Sequence, residues 1–380
     1  MEKIYLDHAA TTPVDNEVLQ KMLPYFTETY GNADSPHSVG RKTMNAVDDA
    51  RDCIASLLHA KPSEIYFTSG GTEADNWALI GGAYAQKAHK KGHVIVSSIE
   101  HHAVLAAAEK LEKEGFSVSY LPVNAGGMVE LNTLKAALRA DTGIVAVMAA
   151  NNEIGVKQPI KALAAAAHEN GSLFFTDSVQ FAPYLPIDVK DWDVDMLSIS
   201  SHKFYGPKGC GVLYIKSGVK VEKYVQGGEQ ERGLRGGTTN VPCVVGMAAA
   251  YDKSVKEGAE ANAKLLALRT LFLAELRGVD GVHINGDLDN ALPSVLNLRF
   301  DGVNNVDFLY NMDLKGICVS AGSACSSASI KPSHVLTAMG LTESEVRSSV
   351  RFSFGKNNTE EEVLAAARET KEILLRLRNM

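Results

Sequence analysis

Short apolar runs recur along the chain and are separated by stretches with helical spacing. That alternation predicts an α/β fold. Glu64–Thr68, Val94–Ser98, Phe116–Pro122, Gly143–Ala149, Leu173–Thr176, Met196–Ser200 and Gly209–Lys216 read as strands of one mostly parallel seven-stranded sheet. Helices are expected from Glu73, after His102, and over the alanine-rich Ile160–Glu169, where Asn170-Gly171 supplies the stop. From about Ser254 the texture changes. A long helix (Glu257–Arg277) leads into short strands near Val282–Asn285, Ser294–Phe300 and Gly316–Val319, and a last helix covers Glu360–Arg378. The pattern predicts a large domain over residues 16–253 and a smaller α+β domain over 254–380. Residues 1–15 join the smaller one, because Thr11-Thr12-Pro13 cuts Ile4-Tyr5-Leu6 off from the main sheet.

Chemically capable residues sit repeatedly just past the ends of the predicted strands. These are Ser69-Gly70-Gly71-Thr72, Glu100-His101, Asn151-Asn152-Glu153, Asp177 and Ser201-His202-Lys203. In open parallel sheets ligands bind along that edge. Asp177 and Lys203 follow successive strands. A lysine that captures an aldehyde must be partly desolvated to be nucleophilic. A pyridine ring that accepts electrons needs a carboxylate to keep its nitrogen protonated. Singly, Asp177 reads as a capping residue, Lys203 as a surface lysine and His101 as a helix cap. Together they can surround one ring: His101 would stack on it, and Gln180 would share a helix face with Asp177 if a helix starts there. Ser200 and His202 offer donors to a phosphate, and Gly71 and Thr72 open a helix whose N-terminus favours an anion.

Composition narrows the classes. With 380 residues, 45% hydrophobic and 22% charged, the chain matches ordinary globular proteins, and a net charge of −7 speaks against broad nucleic-acid binding. No apolar run approaches a membrane span and the start lacks a signal-peptide order, so a cytoplasmic location with no membrane partner is expected. No GxGxxG follows the first strand, against a nicotinamide dehydrogenase. The five cysteines form no CxxC pair and indicate neither a disulfide framework nor a zinc site. Cys325 stands apart, because every neighbour from Ser320 to Ser329 is small and predicts an accessible loop thiol. Cys53 and Cys318 fall in predicted regular elements and read as packing residues.

Tyr5-Leu6-Asp7-His8-Ala9-Ala10-Thr11-Thr12-Pro13, Thr68-Ser69-Gly70-Gly71-Thr72-Glu73, Glu100-His101, Asn151-Asn152-Glu153-Ile154-Gly155, Ser201-His202-Lys203, Arg232-Gly233-Leu234-Arg235-Gly236-Gly237-Thr238 and Gly322-Ser323-Ala324-Cys325-Ser326-Ser327 occur in this order. From residue 5 to about residue 376 the chain resembles the cysteine desulfurases, class V members of the aspartate-aminotransferase fold. The resemblance implies a homodimeric pyridoxal-phosphate (PLP) enzyme of fold type I that takes sulfur from L-cysteine. Lys203 would hold the cofactor covalently, Asp177 would meet its ring nitrogen, Gln180 its phenolic oxygen and His101 its face. Gly71, Thr72, Ser200 and His202 would hold the phosphate, with Thr238 supplied by a second copy. Asn152 and Arg351 would bind the substrate carboxylate. Cys325 would accept the sulfur, pass it to an iron–sulfur scaffold or a tRNA-thiolation enzyme, and act as a transient iron–sulfur ligand shared with such a scaffold. His8 and Ala33 depart from the asparagine and proline common in the family, and members that dock a scaffold often carry a longer tail than the one ending at Met380. A selenocysteine lyase or a class V aminotransferase on the same scaffold is the alternative activity. A non-catalytic sulfur-relay protein is the alternative from another class.

Overall fold

In chain order the strands are β1 (Ile4–Tyr5), β2 (Ile65–Thr68), β3 (His93–Ser97), β4 (Ser117–Leu121), β5 (Thr142–Ala146), β6 (Leu173–Asp177), β7 (Met196–Ser200), β8 (Gly211–Ile215), β9 (Val282–Ile284), β10 (Val295–Phe300), β11 (Ile317–Cys318) and β12 (Ser349–Ser353). The computed structural model that defines them describes residues 3–322 and 332–379. β2 to β8 form a seven-stranded sheet in the order β2-β8-β7-β6-β5-β3-β4. It is parallel throughout except at β8, which runs antiparallel to both neighbours.

Each central strand divides its side chains between two apolar layers. Ile95, Val145, Phe174, Leu197, Ile199 and Val212 point to one layer, which also holds helices Ser38–Leu57 and Ile160–Glu169. Val94, Val96, Ile144, Phe175, Met196 and Leu213 point to the other, with Ala74 to Ala83 and helix His102–Lys113. This is the two-residue period of a sheet covered on both faces, which is why the strands read as continuous apolar runs in sequence. Each fully buried Phe or Leu contributes about 2 kcal/mol of transfer free energy.

A third layer lies beyond the sheet. β10 pairs antiparallel with β9 and β12, and β1 pairs with β11. Phe300, Phe308, Phe352, Phe354 and Phe272 pack together there with Leu6. One helix, Val241–Glu275, serves both regions: Val241 to Tyr251 join the main core, and Leu265 to Phe272 join the third layer.

Three expectations differ from this arrangement. The long helix starts at Val241 rather than Glu257, because Asn240 caps the N–H of Cys243 and Pro242 sits in the first turn, where no backbone donor is needed. No helix starts directly after Asp177. Its Oδ1 accepts the N–H of Val179 at 2.9 Å, and the chain continues in turns from Val179 to Tyr184. β12, with Arg351 at its centre, has no counterpart among the strands expected from the sequence.

Candidate active site

The strand ends bring the expected residues to one place. A cavity of about 160 Å³ is lined by Gly71, Thr72, His101, Asn152, Asp177, Gln180, Ser200, His202, Lys203 and Arg351. Asp177 ends β6 and Lys203 closes the short 3₁₀ turn that follows β7, so the two lie on adjacent parallel strands. Asp75, Met148, Val179 and the Ala9-Ala10 segment complete the wall.

Lys203 enters from the sheet edge and donates from Nζ to the carbonyls of Ala9 (2.6 Å) and Ala10 (2.9 Å). Gln180 Nε2 donates to the same Ala9 carbonyl at 2.8 Å. The N-terminal strand-to-loop segment thus positions both amine and amide, although it lies far from them in sequence. Gln180 reaches the cavity from a turn, not from the helix expected after Asp177.

Asp177 is 4% exposed. Burial pushes its carboxyl up, while the Val179 N–H and the nearby Lys203 oppose that rise. Glu100 precedes His101 and is fully buried. Burial pushes it up to about 8, against hydrogen bonds from Ser97 Oγ (2.5 Å) and the Met148 N–H (2.7 Å). His101 caps helix His102–Lys113 by accepting the Ala103 N–H on Nδ1 at 3.2 Å. Burial, reinforced by Lys203, pushes His101 down to about 4. The ring is therefore neutral near pH 7, and with Nδ1 accepting, its proton is assigned to Nε2.

The anion end is a glycine turn. Gly70 adopts φ +150°, which only glycine takes readily, and a Cβ on Gly71 would meet Val179 Cγ2 at 2.9 Å. The helix beginning at Gly71 presents its first N–H groups beside Thr72, Ser200 and His202. Burial and Lys203 push His202 down to about 4, and its Nδ1 lies 3.1 Å from Thr11 Oγ1. A wider pocket of about 370 Å³, lined by the same glycine turn and Lys208, adjoins this end.

Arg351 is 1% exposed. It donates from Nη1 to the Asn152 carbonyl (2.9 Å) and from Nη2 to Asp7 (2.7 Å), while its buried Nε has no partner among the described residues. A buried guanidinium with donors to spare suits a carboxylate ligand. Thr238 does not enter this cavity within one chain. It is exposed in a neighbouring pocket with Glu231 and Arg235, and Arg235 is held by Glu73 through bonds of 2.9 and 3.1 Å. Cys325 lies outside the described residues.

The class-V aminotransferase model matches residues 4–365. The chain belongs to the class-V aminotransferase family. Among its relatives in this family is the "Cysteine desulfurase IscS" of Methanosarcina thermophila, 46% identical, with 99% of this chain and 93% of that protein covered. The "Putative cysteine desulfurase IscS 1" of Bacillus subtilis (strain 168) is 48% identical, with 99% and 100% covered. A solved "NifS-like protein" superposes with a TM-score of 0.93 at 37% identity, covering 98% of this chain and 99% of that one. A structure described as "SspA in complex with cysteine" superposes with a TM-score of 0.82 at 37% identity, covering 94% and 100%. The architecture is fold type I of the PLP-dependent enzymes, and the class-V family works with PLP.

The residues fit that cofactor. An amine and a carboxylate occupy adjacent strand ends of one cavity, and a glycine turn with two hydroxyls and an imidazole stands where a phosphate would need donors. Two acids were missed as site residues from the sequence. Asp75 lies three residues after Thr72 and so shares its helix face, a spacing that could have pointed to it. Glu100 was visible only as part of a motif with His101. Among the described residues no cluster of three or more His, Cys, Asp or Glu is placed to hold a metal ion, and no helix is long and apolar enough to cross a membrane.

Proposed function

We propose that the protein is a PLP-dependent cysteine desulfurase that converts L-cysteine to L-alanine and retains the sulfur on Cys325. The observation that carries this reading is the placement of Lys203 and Asp177 on one cavity with Arg351. Relatives named cysteine desulfurases at 46–48% identity over nearly the whole chain support it.

Bound PLP supplies an electron sink for charge developing at the substrate Cα. Lys203 would hold the cofactor, and its Nζ, when uncharged, would take the proton from the substrate Cα. Asp177, as its carboxylate, would meet the ring nitrogen, Gln180 the phenolic oxygen and His101 the ring face. Gly71, Thr72, Ser200 and His202 would hold the phosphate. Arg351 and Asn152 orient the substrate carboxylate. In the sulfur step the Cys325 thiolate attacks the substrate sulfur: an S–S bond forms, the substrate C–S bond breaks, and the carbon skeleton gains protons to leave as alanine. Cysteine plus enzyme thiol gives alanine plus enzyme persulfide, with no external oxidant or reductant.

The choice of Cys325 draws support from the other thiols. Burial pushes Cys53, Cys210, Cys243 and Cys318 all above the ordinary thiol range, so none is primed as a thiolate. Exposed Thr238 suits a homodimer in which it completes the phosphate site of a second copy. The persulfide then passes to an acceptor protein in the cytoplasm, an iron–sulfur scaffold or a tRNA-thiolation enzyme.

The test is the Cys325→Ala variant incubated with L-cysteine and a reductant. Visible cofactor absorbance should persist while alanine release falls below about a hundredth of the wild-type rate. Undiminished alanine and sulfide release would overturn the assignment, and amino transfer that depends on a keto acid would mark an aminotransferase instead.

A further inference from the structure

Asp75 has no part in the reading above, yet it lines the same cavity and is 1% exposed. Its helix, Gly71–Asn76, covers the sheet face that carries Phe175 and Met196. Two residues further along the same strands, Asp177 and Ser198 share that face. They are also direct partners across β6 and β7. Ser198 Oγ donates to Asp75 Oδ1 at 2.5 Å, which ties the Asp75 carboxyl beside Asp177.

Two carboxyls enclosed this closely do not both ionise readily. Their surroundings decide which one holds the proton. Asp177 accepts a backbone N–H at 2.9 Å and has Lys203 nearby, both of which favour its charged form. Asp75 accepts from a neutral hydroxyl, and burial together with Asp177 and Glu100 pushes it well above the carboxylate range. The ionisable groups around the pair are Asp177 at the end of β6, Glu100 past β3 and Lys203 past β7, with His101 neutral.

We propose that Asp75 is a positioning residue for the cofactor's ring nitrogen: it retains a proton, so that the Asp75–Asp177 pair carries one negative charge and that charge sits on Asp177. The proposal rests on the reading that Asp177 faces the ring nitrogen of PLP. Asp75→Asn then mimics the native uncharged state, whereas Asp75→Ala removes the group that Ser198 holds against Asp177.

The test uses the whole enzyme loaded with PLP carrying ¹⁵N in the ring. Asp75→Asn should leave the ring ¹⁵N resonance at its wild-type, protonated position. It should also delete one protonated-carboxyl band from the infrared spectrum. Asp75→Ala should weaken PLP binding about tenfold, and Asp75→Asn should restore it. A ¹⁵N resonance shifted in Asp75→Asn, an infrared spectrum unchanged by that substitution, or wild-type affinity in Asp75→Ala would each overturn the assignment. The infrared measurement reads the Asp75 proton with or without cofactor. A wild-type protein that fails to bind PLP would therefore sink the functional reading separately.

Discussion

Two groups of charged side chains in this molecule are built on opposite plans. Where the N-terminal segment meets helix Val241–Glu275, Asp15 lies 3.1 Å from both Lys253 and Lys356, Glu17 pairs with Lys253, and Glu257 pairs with both lysines. Burial works against the Asp15 carboxyl, but the two lysines outweigh it and hold the group down to about 2. In the cavity the balance is reversed. Asp75 and Asp177 line the cavity and Glu100 is buried just past β3; burial holds all three carboxyls up, with Lys203 opposing the rise at Asp177. The first group fastens two parts of the chain. The second keeps an unfavourable arrangement that a bound cationic ring would relieve, which is how perturbed ionisation marks a functional site.

The largest effect that would break this contrast is at Lys203. Lys203→Ala should shift the visible band to that of PLP held without a covalent link, leave the cofactor unfixed by borohydride, and cut alanine formation from L-cysteine by roughly a thousandfold or more. An unchanged spectrum would put the cofactor elsewhere.

Arg351 belongs to the cavity but is fastened by Asp7, so it tests whether a charge can serve both plans. Arg351→Lys keeps the charge and loses the planar fork. Steady-state kinetics should show KM for L-cysteine rising about 10- to 100-fold, with a smaller change in kcat. A change confined to kcat would argue against a carboxylate-binding role.

Glu100 sharpens the comparison through pH. Its pKa rises from the model-peptide range to about 8 in the folded protein, so folding favours its protonated form. Its contribution is therefore fully present below about pH 4.5 and is lost as pH rises toward 8, with a slope of at most about 1.4 kcal/mol per pH unit. Glu100→Gln should flatten the fall in melting temperature between about pH 5 and 8. If the variant and wild type melt in parallel across that range, Glu100 does not hold the proton.

Asp15 should give the smallest effect and the opposite sign. Its depressed pKa means that its stabilisation is present above about pH 4 and is lost as pH falls through 2. Denaturant unfolding of Asp15→Asn at neutral pH should show a loss of about 1 kcal/mol, shrinking with added salt. No loss at low ionic strength would mean that this cluster fastens nothing.

Much of the fold was legible because its signals are local. The seven strands and helix Ile160–Glu169 follow from apolar runs and terminal punctuation, and the observed bounds differ by a few residues at most. The start of helix Val241–Glu275 was not legible, since Val241-Pro242-Cys243-Val244-Val245-Gly246 carries β-branched residues, proline and glycine that disfavour a helix on their own. Packing of Val241, Val244 and Met247 into the main core overrides that preference. β12 was missed for a related reason. Ser349-Val350-Arg351-Phe352-Ser353 has a buried arginine at its centre, a pattern that makes sense only once Asp7 and the Asn152 carbonyl are beside it.

From the sequence came the order of the strands along the chain, the polar residues at their ends, and hence the candidates Lys203, Asp177 and His101. A residue's place on a strand depends on its immediate neighbours, so such features survive in one dimension. Only the tertiary structure decided that Ala9 and Ala10 hold Lys203 and Gln180, that Arg351 closes the cavity from a different sheet, and that Asp75 meets Ser198 beside Asp177. Those contacts join segments far apart in the chain. Nothing in local propensity encodes a distance between them until the sheet and its covering helices have packed.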